Sequence, residues 1–317
     1  MTKKSRAVLF FILIILFLLV APSIVFYASG YRIDFSPPGG GIKIAQTGGF
    51  YFKVWPKSAQ IYLDGKLAKR TDFFFGAVFL DNLLPKKYEV QIQKEGYHSW
   101  KKKLEIKEKQ VIEAKNIVLL PQNPGFEVLS KNVEEFFVSP DQKKIILKEV
   151  QDPEWSLKLL ELETTIKSHL ANKEDLATSS LTEFIDSFFE IEKTEKTEEQ
   201  QEEKLSPDQK KLATFTNSEV WVLFLKDDLG QPQKSSGERL FIARFSEKIG
   251  QVFWLTNHYL IFTAGSKIKV AEIDDRDHLN IVDFTEFKSP KIFFNQTNKK
   301  LYILSEGNLY FSERLLP

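Results

Sequence analysis

FFVSPDQKKIILK (136–148) and EKLSPDQKKLATF (203–215) share a Ser-Pro-Asp-Gln-Lys-Lys core between apolar flanks. Each reads as strand, polar turn, strand. Ser at the first turn position and Pro at the second suit a type I turn, because proline presets φ at Pro140 and Pro207. Two weaker copies follow, VFWLTNHYLIFTA (252–264) and IFFNQTNKKLYIL (292–304). A third strand is expected after each pair, in SLKLLEL, EVWVLFL, KIKVAEI and NLYFSERL, and a fourth in RLFIARF and LNIVDF. A strand-rich unit recurring at roughly 40 residues is the sequence sign of propeller blades. Two insertions stretch the early spacings: 172–204, acidic in its second half, and 227–238 (DDLGQPQKSSGE). Four copies predict an open or four-bladed array, unless degenerate blades lie in 165–200. The last copy stops at three strands, and FEVLS (126–130) is the expected fourth, closing the ring and removing exposed edges.

With these turns, residues 126–317 resemble TolB-like and WD40-like propeller repeats, in which Ser-Pro-Asp-Gly recurs. Gln142 and Gln209 stand where those repeats place glycine.

Upstream, 50–121 is also strand-rich. VWPKSAQIYLDGKL (54–67) alternates Ala59, Ile61 and Leu63 against Gln60 and Tyr62, then turns at Asp64-Gly65. That dipeptide favours a two-residue I′ hairpin, which needs positive φ at both positions. YEVQIQK and WKKKLEI alternate likewise, and VIEAKNIVLL ends the unit before Pro121. Short strands without helical period predict a small antiparallel β-sandwich. Pro56-Lys57-Ser58-Ala59, Asp64-Gly65-Lys66, Leu84-Pro85-Lys86-Lys87-Tyr88-Glu89-Val90 and Lys94-Glu95-Gly96-Tyr97-His98 follow one another in an order that resembles the PEGA domain. The resemblance spans about residues 42–121 and implies a non-catalytic surface module beside membrane anchors and envelope proteins. Lys57-Ser58 and Lys87 depart from its pattern at turns.

AVLFFILIILFLLVAPSIVFY (7–27) carries no charge. It spans roughly 31 Å at about 1.5 Å per residue, matching a bilayer's hydrocarbon core. It is apolar on every face and longer than a signal-peptide core, although Ala28-Ser29-Gly30 offers small residues for cleavage. An uncleaved single-pass anchor is expected, touching lipid through 7–27. Lys3, Lys4 and Arg6 precede it and Arg32 follows, which places the N-terminus in the cytoplasm and the bulk of the chain outside. Residues 1–28 are then cytoplasmic tip and membrane helix. Residues 29–49, rich in Pro and Gly, are a swinging linker.

Composition excludes several chemistries. Lys+Arg 44 against Asp+Glu 43 gives no field for nucleic acid, and Cys 0 excludes disulfides and thiolate sites. The histidines His98, His169, His258 and His278 form no metalloprotease motif, and no nucleophile elbow, phosphate loop or dinucleotide fingerprint occurs. DDRDHLN (274–280) lacks the Gly and Glu of a calcium loop and reads as a blade turn. Glu198, Glu199, Glu202 and Glu203 read as a solvated charge run. No cofactor and no catalysis are expected.

Two stretches are candidate ligand or partner surfaces. TDFFFGAVFL (71–80) is apolar on both faces. It predicts either a strand buried on both sides or an exposed Phe73, Phe74 and Phe75 touching lipid or a partner. In YHSWKKK (97–103), Tyr97, His98 and Trp100 beside lysines suit a sugar ring or an anionic polymer. The alternative is Tyr97 and Trp100 packed on the sheet with Lys101–Lys103 as solvated edge charges. The overall expectation is an all-β protein with one transmembrane helix: a membrane-anchored, extracytoplasmic binding or scaffolding element of the cell envelope, contacting proteins through its propeller. A cell-wall or glycan binder is the alternative, and a hydrolase at the propeller mouth the second.

Overall fold

The computed structural model describes residues 3–35, 40–151, 153–176, 180–190 and 202–317. The chain divides into two compact units, Met1–Glu95 with Ser99–Leu119, and Gly96–His98 with Leu120–Pro317.

The first unit begins with α1 (Lys3–Ala28). Its apolar window Ser5–Ala28 has 0% of its residues buried within the protein, and it is long and apolar enough to span a membrane. Pro22 lies inside the helix, and Ser23 Oγ donates to Leu19 O beside it (2.8 Å). Strands β1 (Tyr31–Asp34) and β2 (Lys43–Gln46) then pair antiparallel, with Ile33 opposite Ile44. Residues 29–49 are therefore not a swinging linker. Strand-forming residues on the two sides of the Pro/Gly run pair with one another. Residues 36–39, within that run, lie outside the described residues.

Seven further strands follow: β3 (Gly48–Trp55), β4 (Gln60–Leu63), β5 (Lys66–Arg70), β6 (Ala77–Leu83), β7 (Lys87–Gln93), β8 (Trp100–Glu105) and β9 (Val111–Val118). They form a sheet ordered β5-β4-β7-β8 and another ordered β6-β3-β9. Phe50 and Phe52, both fully buried, stack at 5.2 Å and meet Tyr88 and Trp100 of the other sheet edge to face. Asp64 and Gly65 adopt φ of 50° and 76°, as the hairpin turn requires. Asp64 also accepts from Glu89 N (3.0 Å) and Lys86 Nζ (2.7 Å), fixing that turn to β7. The expected all-antiparallel pairing fails at one place: β9 runs parallel to β3. The chain crosses through the other sheet before returning, so β9 arrives in the direction of β3.

The second unit holds β10 (Phe126–Lys131), β11 (Val133–Val138), β12 (Lys144–Gln151), β13 (Glu154–Glu161) and β14 (Lys167–Asn172). A 3-10 turn (Lys173–Leu176) and α2 (Leu181–Phe188) follow. Then come β15 (Glu202–Leu205), β16 (Lys211–Phe215), β17 (Glu219–Phe224), β18 (Arg239–Arg244), β19 (Ile249–Thr256), β20 (Tyr259–Ala264), β21 (Lys267–Glu272) and β22 (Ile281–Glu286). β23 (Lys291–Phe294), β24 (Leu301–Ser305) and β25 (Asn308–Ser312) end the chain. Among the described residues these make four antiparallel sheets of four strands, β11–β14, β15–β18, β19–β22 and β10-β25-β24-β23. This is a propeller-like plan. The last sheet takes its outer strand from the start of the unit, with Phe126 opposite Ser312 and Lys131 opposite Asn308. The segment 126–131 pairs with β25 as the expected fourth strand of the last sheet, and without it β25 would present an open edge.

Buried side chains fill the junctions between sheets. Val220, Val222, Phe262 and Ala271 join the second and third. Leu147, Leu160, Tyr302 and Leu309 join the first and fourth. The helix α2 was not anticipated, although Ser180 and Glu183 form a capping box and Leu181, Phe184, Ile185 and Phe188 follow helical spacing. Its Ile185 packs with Ile146, Leu157 and Ala171 of the first sheet.

The fully buried Leu309 sits where the closing sheet meets the first. Leu309→Ala should cost about 3 kcal/mol, or roughly 6–12 °C in melting temperature. Deleting 126–131 should lower the transition further and strip β25 of hydrogen-exchange protection. An unchanged melt after deletion would show that the β10–β25 pairing contributes nothing.

Candidate interaction surfaces

Phe73, Phe74 and Phe75 lie on a turn between β5 and β6, with exposures of 74%, 74% and 75%. The expectation of a strand buried on both sides is overturned. The reason is local. Asp72 Oδ1 accepts from Phe74 N (2.8 Å) and Phe75 N (2.5 Å), and its Oδ2 accepts from Ala77 N (2.7 Å). Asp72 N also donates to Ala77 O (2.9 Å), closing the turn before β6 starts. These backbone donors, Phe75 N foremost, hold the Asp72 carboxyl below its usual range. Gly76 then takes φ of +68°, and a Cβ there would lie 2.3 Å from Val54 O. The turn is thus preorganised, and it presents three rings outward, Phe73 and Phe74 edge to face at 5.7 Å.

The other candidate residues are not gathered into one surface. Trp100 is 3% exposed, inside the first unit against Phe52. Its strand alternates buried and exposed positions, so Lys101 and Lys103 face solvent while Lys102 turns inward. Lys102 is therefore not a solvated edge charge. It shares the register of Trp100 and Leu104, and the run of three lysines hides that alternation. Tyr97 and His98 belong to the second unit, where Tyr97 bridges Pro121 and His98 N donates to Leu120 O (2.8 Å). Among the described residues His98 Nε2 is buried without a hydrogen-bond partner, and burial lowers the pKa of its ring.

In the second unit the turns between first and second strands are built alike. Ser139 Oγ donates to Asp141 Oδ1 (2.6 Å) and accepts from Lys144 N (2.9 Å). Ser206 Oγ does the same with Asp208 (2.6 Å) and Lys211 N (3.0 Å). Both serine hydroxyls serve the turn. Gln142 and Gln209 occupy the left-handed region, φ 58° and 56°, where glycine is least strained. These turns also bond to one another. Asp208 N donates to Asn257 Oδ1 (3.0 Å), Gln296 Nε2 to Trp254 O, and Asn295 Nδ2 to Gln142 O (2.6 Å). Gln142 Oε1 accepts from Gln296 N (3.1 Å). A belt of linked turns therefore runs from the second sheet through the third and fourth to the first, with Lys143, Gln209 and Lys210 exposed on it. Beneath it, the buried Lys211 meets Asp208 (3.3 Å) and Asp228 (3.8 Å). Burial and the Lys211 charge depress the pKa of the nearby His258.

In the 274–280 loop Asp274 pairs with Arg276 (2.5 Å) and Asp277 with His278 (2.8 Å), while Asp275 reaches out to Lys234 (2.7 Å). Among the described residues no group of three or more His, Asp or Glu is placed to hold a metal ion. Glu198 and Glu199 lie outside the described residues, as does the side chain of Glu202.

No family model and no curated protein matches the chain. Solved structures similar to it include the XC5397 gluconolactonase of Xanthomonas campestris, 12% identical over 73% of this chain and 68% of that one (TM-score 0.27). The β-propeller domain of Myceliophteria thermophila Cps50 (Swd1) is 9% identical over 72% and 67% (TM-score 0.26). A putative TolB from Agrobacterium tumefaciens is 11% identical over 78% and 77% (TM-score 0.25). The chain spans about half the length of others, 49% in one case. At these scores none carries an argument. The propeller-like description rests on the four sheets themselves.

Trp100→Ala should cost about 3–5 kcal/mol, while Phe74→Ser should leave the melt within about 0.5 kcal/mol. Equal effects would contradict the burial assignment. Gln209→Gly should be neutral or stabilising by up to about 1 kcal/mol, since glycine relieves the positive φ. Gln142→Gly should be the less favourable of the two, because it also removes the bond to Gln296. For His258, the folded pKa lies below the unfolded value. Its contribution is therefore intact above about pH 6.5 and lost as pH falls through the folded pKa. The melting temperature of His258→Gln should fall less than that of the parent across that acid window.

Proposed function

We propose that this chain is a membrane-anchored, non-enzymatic binding or scaffolding protein of the cell envelope. The observation that carries the reading is α1, whose apolar surface is left uncovered by the rest of the protein. Such a surface is stable in lipid and not in water. Lys3, Lys4 and Arg6, at the helix start ahead of its apolar run, favour a cytoplasmic N-terminus, with both β-built units on the far side. The helix stays attached in this reading, because its apolar run exceeds a signal core and joins a folded hairpin.

The first unit is a PEGA-like surface module in this reading, on the strength of its four ordered motifs. Partner binding uses two preformed surfaces, the Phe73–Phe75 turn and the belt of linked turns on the second unit. Exposed aromatics on a rigid turn suit the core of a protein interface, because little ordering entropy remains to be lost. A glycan platform built on Tyr97 and Trp100 loses its main aromatic, since Trp100 is buried. The serines of the repeated turns already hold backbone and carboxylate, which favours a structural role for them over a nucleophilic one.

Photo-crosslinking in intact cells tests this. A benzoyl-phenylalanine placed at Phe74, and separately at Lys210, should each yield a discrete protein adduct absent from a control position, Lys103. Adducts to wall polymer alone would replace the reading with the glycan one. Turnover in a broad hydrolase panel by purified full-length chain would overturn the non-enzymatic assignment.

A further inference from the structure

The β1–β2 hairpin wears its apolar residues on the outside. Ile33 alternates with Arg32 and Asp34 along β1, and Ile44 with Lys43 and Ala45 along β2. Ile33 pairs with Ile44, so the two share one face, and Phe35 and Ile42 each lie one residue beyond the paired strands. Their exposures are 52% for Ile33, 72% for Phe35, 72% for Ile42 and 57% for Ile44. The opposite face turns to the first unit. Arg32 Nη2 donates to Asn82 Oδ1 of β6 (2.6 Å), Lys43 Nζ lies 3.9 Å from Glu108, and Ala45 is buried. Thr47 N donates to Gly30 O (2.9 Å), and Lys109 N to Thr47 O (3.2 Å). The hairpin is thus held by its polar side, the reverse of an ordinary surface hairpin.

We infer that this apolar face is a foot that rests in the lipid–water interface. The inference rests on the membrane reading of α1 and adds to it. What favours lipid over a protein occupant is continuity with the helix. The hairpin starts three residues beyond Ala28, and the joint is stiff. Arg32 lies 3.6 Å over the Tyr27 ring and donates to Tyr27 O (2.9 Å), and Phe26 meets Tyr31 ring to ring at 4.9 Å. Residues 7–27 use up about 30 Å of hydrocarbon, so the next residues fall at the headgroup level. Tyr27 and Tyr31 are residue types enriched at that depth. An apolar face there is buried about 5–10 Å deep, at the headgroup–acyl boundary. The same contact converts a tether into a mount: the first unit is held at the bilayer by a helix and a hairpin together.

The chain lacks cysteine, so single nitroxide labels are clean. Full-length variants Ile33→Cys, Phe35→Cys, Ile42→Cys and Ile44→Cys would be placed in phosphatidylcholine/phosphatidylglycerol nanodiscs, with Asp34→Cys, Lys43→Cys and Leu16→Cys as references. Collision rates with oxygen and with a nickel chelate then report depth. The four hairpin labels should show a severalfold higher oxygen-to-nickel ratio than Asp34 and Lys43, shallower than Leu16. Ratios equal to Asp34 with Leu16 still deep would remove the foot and leave the anchor. Low collision rates with both probes, or spin–spin broadening between copies, would assign the face to a protein partner or a second copy and overturn the inference. A water-exposed Leu16 would end both readings.

Discussion

Among the described residues the apolar span of α1 is uncovered apart from its C-terminal contacts with β1, and a surface of that kind needs a cover from elsewhere. Burial of apolar area is worth roughly 25 cal/mol per Å², so the side chains of α1 gain far more from lipid than from water. Placed in a bilayer, the same surface is satisfied, and the helix bonds its own backbone along the span except where Pro22 has no N–H to donate. The tight joint at Arg32 then carries weight. It lets the helix set the position of the hairpin, and through Asn82 the position of the first unit.

The second unit solves a different problem. Four sheets in series would leave strand edges at the two ends. Taking β10 from the beginning and pairing it with β25 at the end removes one of those edges and joins the unit's termini in a single sheet. Ser130 on β10 donates to Glu149 Oε1 (2.6 Å), and Lys167 bonds both (2.7 Å to Glu149, 3.1 Å to Ser130). The closing strand is thereby fastened to the neighbouring sheet as well. The linked turns do similar work on the other sheets. Turns cross-bonded in this way form a surface with little freedom left to lose.

Much of this was legible from residues alone. The repeated Ser-Pro-Asp-Gln-Lys-Lys located two of the linked turns, because serine, proline and aspartate each have a fixed duty there. The lack of a fourth strand after NLYFSERL pointed to 126–130. What escaped was non-local or masked by composition. A parallel β3–β9 pair leaves no trace in alternation. Phe73–Phe75 look like core until Asp72 is seen collecting three backbone donors, a bonding pattern that the letters T-D-F-F-F-G-A only hint at. The hairpin at 31–46 was hidden by the Pro/Gly run inside it, although Ile33, Phe35, Ile42 and Ile44 alternate on both sides. The capping box at Ser180 was readable and was submerged in a segment judged by its acidic tail.

The central claim is that α1 stays in the bilayer with both β units on the outer side. The most direct measurement labels a Lys210→Cys variant with a membrane-impermeant maleimide on intact cells, followed by alkaline extraction of the membranes. The account predicts full labelling before lysis, on a chain that stays in the pellet and retains its N-terminal residues. Labelling only after lysis, or recovery of the chain in the soluble fraction, would contradict it.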